Sequence, residues 1–214
     1  MSLSSSLAVQ ELPIFPLPEV VLFPGRPLPL HIFEPRYRMM INTVLDRDRR
    51  FGVLLWDAQT NQPSRVGACA EIMEVERLDD DRINILTVGQ QRFQVLDYVR
   101  IKPYRVGLIE WIDDEPPTED LDHVVSEAKQ LLKDVVRLSA KLMDRSIDLP
   151  TLPNNPRELS HWIGGSFYGA SDEQQALLEM RDTKKRLERE IEILQTTLKH
   201  LAARTVLKDT LSED

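Results

Sequence analysis

The apolar residues of this chain change their period once, and that change decides what the chain can become. Up to about Glu115 they alternate or run in short blocks, as strand residues do; from Leu121 they recur every three or four residues, as helix residues do. In PLPLHI the side chains of Leu28, Leu30 and Ile32 fall on one face of a half-buried strand. FGVLLW, at 51–56, is an unbroken apolar run suited to a strand covered on both faces. GACAEIMEVERL and RINILTVG flank Asp79, Asp80 and Asp81, which predicts two strands joined by a polar turn. QQRFQVLDYV and YRVGLIEWI predict two more, separated by Lys102 and Pro103. Six or so short strands with turns between them predict a small barrel or sandwich. One helix is inserted among them. Pro35 stands at its first position, where a missing N–H costs nothing, and Tyr37, Met40, Ile41, Val44 and Leu45 share a face.

The acidic, double-proline segment DDEPPTED at 113–120 separates the two regimes, predicting a β-rich part over 1–116 and a helical part over 117–214. Val124, Val125, Ala128, Leu131, Leu132, Val135 and Leu142 mark the first helix of the second part. The run DLPTLPNNP at 148–156 breaks it. Asn155, Pro156 and Glu158 then offer an N-cap, a first-turn proline and a capping-box partner for a short helix through Trp162, which Gly164 and Gly165 end. Ser171 and Gln174 form a second capping box that opens a long last helix. In it Leu177, Met180, Lys184, Leu187, Ile191, Leu194, Leu198 and Leu201 keep a heptad frame. That frame suits a dimeric coiled coil with Lys184 in its seam, hence a homodimer. It equally suits an antiparallel partner for the helix beginning near Leu121, and the intrachain pairing is preferred because it needs only the same faces. Lys184, Lys185, Arg186 and Arg189 alternate with Glu188, Glu190 and Glu192, which reads as a mixed solvated face. The expected class is therefore α+β: a β-rich subdomain, barrel or sandwich, with one inserted helix, then a helical bundle with a long last helix.

Composition removes several functions. With 27 Lys and Arg against 35 Asp and Glu the formal net charge is −8, so neither nucleic acid nor an anionic membrane is an expected partner. The single cysteine, Cys69, permits no intrachain disulfide and reads as a small buried strand residue. MSLSSSLAVQ has no basic n-region or long apolar core, and no run approaches the ~20 apolar residues of a membrane helix, so a soluble, cytoplasmic protein is expected. The eight glycines form no phosphate-cradling loop. His31, His123, His161 and His200 have no metal-ligand spacing, and the acidic clusters at 79–81 and 113–115 lack the alternation of a calcium loop and read as solvated turns. Ser139 and Lys141 point in different directions on a helix, and no Gly-x-Ser-x-Gly elbow occurs. No catalytic residue, metal or cofactor is expected.

The opening of the chain is more specific. LPIFPLPEVVLFPGRPLPLHIFEPRYRMMI, at 12–41, resembles the start of the N-terminal domain of Lon, the ATP-dependent protease. The resemblance rests on Pro13, Phe15-Pro16-Leu17, Val21, Phe23-Pro24-Gly25, Leu28-Pro29-Leu30 and above all Phe33-Glu34-Pro35-Arg36-Tyr37. It continues through Phe51-Gly52-Val53, Gly67, Glu71-Ile72, Gly89, Arg92-Phe93 and Pro103-Tyr104, then through Glu173-Gln174-Gln175, Leu177-Leu178-Glu179 and Arg186-Leu187. Lon proteases carry an ATPase module and a Ser–Lys protease domain, whereas this chain ends at Asp214 with neither. The resemblance thus implies a stand-alone substrate-binding domain of bacterial type, with a twisted, barrel-like (PUA-like) β subdomain followed by a helical bundle. Its implied partners are unfolded or exposed apolar polypeptide segments, with a separate protease or chaperone alongside. An adaptor acting on a folded partner is the second reading, and an unrecognised enzyme or RNA binder the third.

Prolines at 13, 16, 18, 24, 27 and 29 stiffen the opening, and a rigid apolar surface can hold an extended segment at little ordering cost of its own. Phe15, Val21, Leu22, Leu28, Leu30 and Ile32 are expected in the core. Leu17, Pro18, Phe23 and Pro24, near turns, together with Phe33 and Tyr37, are the candidate binding residues. Glu34, Arg36 and Tyr37 also suit a helix cap and an ion pair between the two subdomains.

Overall fold

The computed structural model describes residues 9–146 and 151–211; the first eight residues and 148–150 of the helix-breaking run lie outside them. The described residues form two compact units, 9–113 with 164–179 and 114–163 with 180–211.

In the first unit, β1 (Gln10–Pro18), β2 (Pro27–Ile32), α1 (Pro35–Leu45), β3 (Arg50–Asp57), β4 (Gln62–Pro63), β5 (Val66–Arg77), β6 (Ile83–Arg100) and β7 (Arg105–Ile112) follow in order. The sheet runs β1-β7-β6-β5-β3-β4, and β1 also pairs in parallel with β3, from Ile14 opposite Gly52 to Pro18 opposite Trp56, so the strands close into a ring. The barrel-like expectation holds. Residues 51–55 of that run are buried along β3 and Trp56 is half-buried, and Phe15, Leu22, Ile32, Tyr37, Met40, Ile41 and Phe51 pack into one apolar cluster. Leu12, Ile14, Leu54, Phe93, Val95 and Ile109 form another.

β6 departs from expectation, because 83–100 is one long strand rather than two. The break read at Gly89 is a crossing point. A Cβ there would lie 2.1 Å from the Phe23 carbonyl oxygen, so only glycine lets the two backbones meet. Gly25 donates to the Gly89 carbonyl (2.7 Å) and Gly89 to that of Arg26 (2.9 Å), fastening the crossing.

β2 lies on the first half of β6, off the ring, with Pro27 opposite Val88 and Pro29 opposite Leu86. A proline cannot occupy a pair that exchanges two N–H bonds. These two therefore sit at the non-bonded pairs, whose main-chain groups face the strand's outer edge. Along that edge β2 presents carbonyls without the matching donors, while Leu28 and Leu30 pack onto the core.

The long last helix predicted from Ser171 is two helices. α4 (Ser171–Glu179) belongs to the first unit, where Gln175 Nε2 donates to the Val66 carbonyl (3.0 Å) and Arg92 Nη1 to that of Leu178 (2.5 Å). Gln174 does not complete a capping box; its amide donates to the Gly164 carbonyl (3.0 Å). α5 (Thr183–Leu211) starts afresh. The Asp182 carboxylate accepts the Lys185 N–H (3.1 Å), and that bond holds its carboxyl below the usual range.

In the second unit α2 (Asp122–Leu142) packs along α5 of the same chain, the preferred intrachain pairing. Val125, Ala128 and Leu132 are buried on one helix, Leu187, Ile191 and Leu194 on the other. α3 (Pro156–Gly164) opens as expected, with Asn155 Oδ1 accepting the N–H groups of Arg157 (3.0 Å) and Glu158 (3.2 Å). Among the described residues no helix is long and apolar enough to cross a membrane.

Candidate functional site

The six candidate residues of the opening do not form one surface. Phe23 is 0% exposed and Tyr37 7%. Tyr37 lies with its ring centroid 4.1 Å from that of Phe15, and burial raises its hydroxyl pKa. These two are core residues: the Gly89 crossing draws the Phe23 backbone inward, and Tyr37 is on the apolar face of α1. Leu17 and Pro24 are half-buried, Leu17 against the core, and Pro18 is exposed at the end of β1. Phe33 is 63% exposed, just beyond β2. The six residues of β2 place it roughly 20 Å from the Pro24 turn, at the strand rise of about 3.3 Å per residue.

Phe33 stacks on His31, and His31 touches Arg82, one of the residues that line a groove of about 840 Å³. One wall is the polar face of α1 and its exit: Arg38, Met39, Asn42, Thr43, Asp46 and Arg47. The other is the β5–β6 hairpin: Arg77, Leu78, Asp81, Arg82 and Ile83, with Pro35 closing the end. The hairpin turn is the one its three aspartates predicted. Leu78 donates to the Arg82 carbonyl (2.9 Å), and Asp81 adopts a left-handed φ of 64°, which a short polar side chain tolerates.

Two contacts cross the groove. Arg77 Nη2 donates to Asn42 Oδ1 (2.9 Å), and Arg38 lies 3.9 Å from an Asp81 carboxylate that is 93% exposed. Arg82 pairs with Asp80 in the turn. His31 donates at Nδ1 to Asn84 Oδ1 (2.7 Å), accepts at Nε2 from Arg82 (3.4 Å) and stacks on Phe33 with centroids 6.2 Å apart. Phe33 is thus propped outward by a fixed imidazole. Met39, 53% exposed, is a second large apolar side chain on the groove. The expected ion pair between subdomains closes instead two residues apart at the head of α1, Arg36 to Glu34 at 2.8 Å, and the Glu34 side chain caps nothing.

The four groove arginines escaped the sequence reading. Arg38, Asn42 and Asp46 follow at four-residue steps opposite the apolar stripe of α1, which was legible. That Arg77 and Arg82 face them depends on the fold.

A buried polar network in the second unit overturns two further readings. Arg186 and Glu190 are 0% exposed rather than on a solvated face, and Asp114 is buried rather than in a solvated turn. Arg186 donates from Nη2 to Asp114 Oδ2 (2.5 Å), from Nη1 to the Met180 carbonyl (2.7 Å) and from Nε to Ser160 Oγ (2.6 Å); Ser160 donates to Glu190 Oε1 (3.0 Å). Burial pushes the Glu190 carboxyl well above its ordinary pKa, against the opposing pull of Arg186 and the Ser160 bond. Lys184, placed in the seam by the heptad frame, lies outside it and bonds Glu119 (2.7 Å). Among the described residues no three His, Cys, Asp or Glu side chains are grouped to hold a metal. Cys69 is buried and its thiol is pushed up to about 12 by desolvation, which removes it as a nucleophile at neutral pH.

A family model described as the ATP-dependent protease La (LON) substrate-binding domain matches residues 11–196. Lon protease 2 of Myxococcus xanthus is 26% identical over 193 residues, which are 86% of this chain and 23% of that protein. The chain spans about a quarter of the length of the curated relatives it matches. Among solved structures, a Lon N-terminal domain protein from Xanthomonas campestris superposes with a TM-score of 0.61 at 23% identity, covering 84% of this chain and 96% of that one. The N-terminal domain of Mycobacterium avium complex Lon protease gives 0.66 at 17%, covering 87% and 98%. At these identities the structural likeness speaks for the fold.

Proposed function

The chain belongs to the substrate-binding domain family of the ATP-dependent protease La (Lon), and from that premise we propose that it recognises protein substrates by gripping segments that expose apolar side chains. The domain itself does no cutting; cleavage falls to a separate protease module. The observation that carries this reading is Phe33, held 63% exposed against His31, with Met39 a second exposed apolar side chain in the wall of the groove whose Arg82 His31 touches. A large side chain fixed in water by its neighbours has little ordering cost left when a partner covers it. Pro18, exposed, and the half-buried Leu17 and Pro24 remain secondary candidates.

The test is capture of peptides from unfolded proteins on an array, by the parent and by Phe33→Asp. Since Phe33 is exposed, the variant should keep the parent's circular dichroism and stability to within about 0.5 kcal/mol. Apolar peptides bound by the parent and lost by the variant support the reading. If the parent binds no more apolar than polar peptides, the reading fails.

A further inference from the structure

We infer that the groove between α1 and the β5–β6 hairpin selects acidic segments: an extended peptide whose Asp or Glu side chains meet Arg38, Arg47 and Arg77 while a neighbouring apolar side chain covers Met39 and Phe33. This deepens the proposed function and rests on it.

The argument is one of charge. The chain as a whole carries eight more acidic than basic side chains, yet the groove is lined by Arg38, Arg47, Arg77 and Arg82 against only Asp46 and Asp81. Those guanidiniums are not equally spent. Arg82 is neutralised by Asp80 and also touches His31. Arg77 gives its bond to Asn42, which is neutral. Arg38 has only the long contact to the well-exposed carboxylate of Asp81, a pair of the kind worth little. The Arg47 side chain makes no hydrogen bond or ion pair among the described residues. Of the neighbouring acids, Asp48 accepts the Arg50 N–H and Glu76 the Asn84 amide. Three guanidiniums, each with donors left over from these contacts, therefore line the slot, an arrangement matched to carboxylates that can accept in bidentate fashion.

The spacing makes the class narrower. Arg38 lies seven residues before the end of α1 at Leu45, about 10 Å at the helical rise of 1.5 Å per residue, and Arg47 follows two residues later in the turn. An extended chain runs along that wall in about four residues, about 13 Å at 3.3 Å each. The fitting sequence has two acidic residues four apart with an apolar one between or beside them. Bare apolar segments, and those flanked by lysine, should bind less well here, since a lysine would meet the same arginines at close range.

The experiment uses the full chain and fluorescence anisotropy with three labelled peptides of one length: Asp residues four apart around a Phe, the same peptide with Lys for Asp, and a neutral version with Ser for Asp. The acidic peptide should bind at least about tenfold tighter than the lysine one, with an advantage that shrinks in high salt. Arg38→Gln with Arg47→Gln, at a half-buried and an exposed position, should remove that advantage and leave the neutral peptide's affinity unchanged. Equal binding of the acidic and lysine peptides, or an unaltered ratio in the double variant, overturns the acidic preference while leaving polypeptide recognition standing. A single-stranded RNA oligonucleotide that binds through these arginines more tightly than any peptide overturns it too. Failure of all three peptides, the neutral apolar one included, counts against the proposed function itself.

Discussion

Arg186→Met should unfold the helical unit far more readily than its position on a Lys- and Glu-rich helix suggests. The methionine keeps most of the stem and loses the guanidinium. Asp114 then keeps the Thr183 hydroxyl (2.8 Å) but loses its counterion, and the Met180 carbonyl and Ser160 hydroxyl lose their bonds from Arg186. Stranding one member of a buried ion pair costs about 3–5 kcal/mol, more than the net worth of the intact pair, because the surviving charge stays desolvated without its counterion. Adding Asp114→Asn removes the stranded charge, so the double variant should recover about 2 kcal/mol or more of the loss. The readout is denaturant unfolding followed by Trp162, the tryptophan of α3, in a Trp56→Phe, Trp111→Phe background, which confines the signal to the unit that holds the network. A loss below about 1 kcal/mol for Arg186→Met, or a double variant whose loss is the sum of the singles, would refute the claim that the pair acts as a desolvated unit.

Two further outcomes follow from groups already placed. Burial raises the Glu190 carboxyl, so the folded state keeps a proton that the unfolded chain releases near pH 4.3. Its contribution to stability is complete below that pH and is lost as pH rises toward the folded pKa, at up to about 1.4 kcal/mol per unit. Glu190→Gln should therefore gain on the parent in denaturation midpoint as pH rises above about 4, and a constant difference would show that Glu190 is not the group concerned. Gly89→Ala forces a Cβ to within 2.1 Å of the Phe23 carbonyl oxygen, a clash with backbone that no rotamer relieves. It should cost more than about 3 kcal/mol in the first unit, and thermal unfolding within a degree or two of the parent would contradict the crossing.

What could be read from the sequence was whatever local pattern controls. Pro35 and the 37-40-41-44 spacing placed α1, the three aspartates placed the β5–β6 turn, and Asn155 placed the start of α3. What could not be read depends on residues distant in the chain. Gly89 looks like a strand end until the Phe23 backbone is found lying across it. Arg186 and Glu190 look solvated because charged residues usually are, and the acid that justifies burying Arg186 is Asp114, 72 positions away. The heptad frame ran through Met180 because the apolar period survives the break between α4 and α5; the cap at Asp182 is what interrupts it. The candidate site was half visible. Phe33 was legible as an oddity within the Phe-Glu-Pro-Arg-Tyr motif, but the arginines come from a helix and a hairpin that share no sequence signal.

The outer edge of β2 has a consequence for a protein proposed to handle unfolded chains. Such chains are the species most prone to extend a sheet by adding a strand, and every encounter offers them a template. With Pro27 and Pro29 supplying no donors there, a visiting strand would find alternate rungs of the ladder missing. Contact is thereby steered toward side-chain recognition, which releases as readily as it binds, and away from backbone zipping, which would turn a transient client into a permanent deposit.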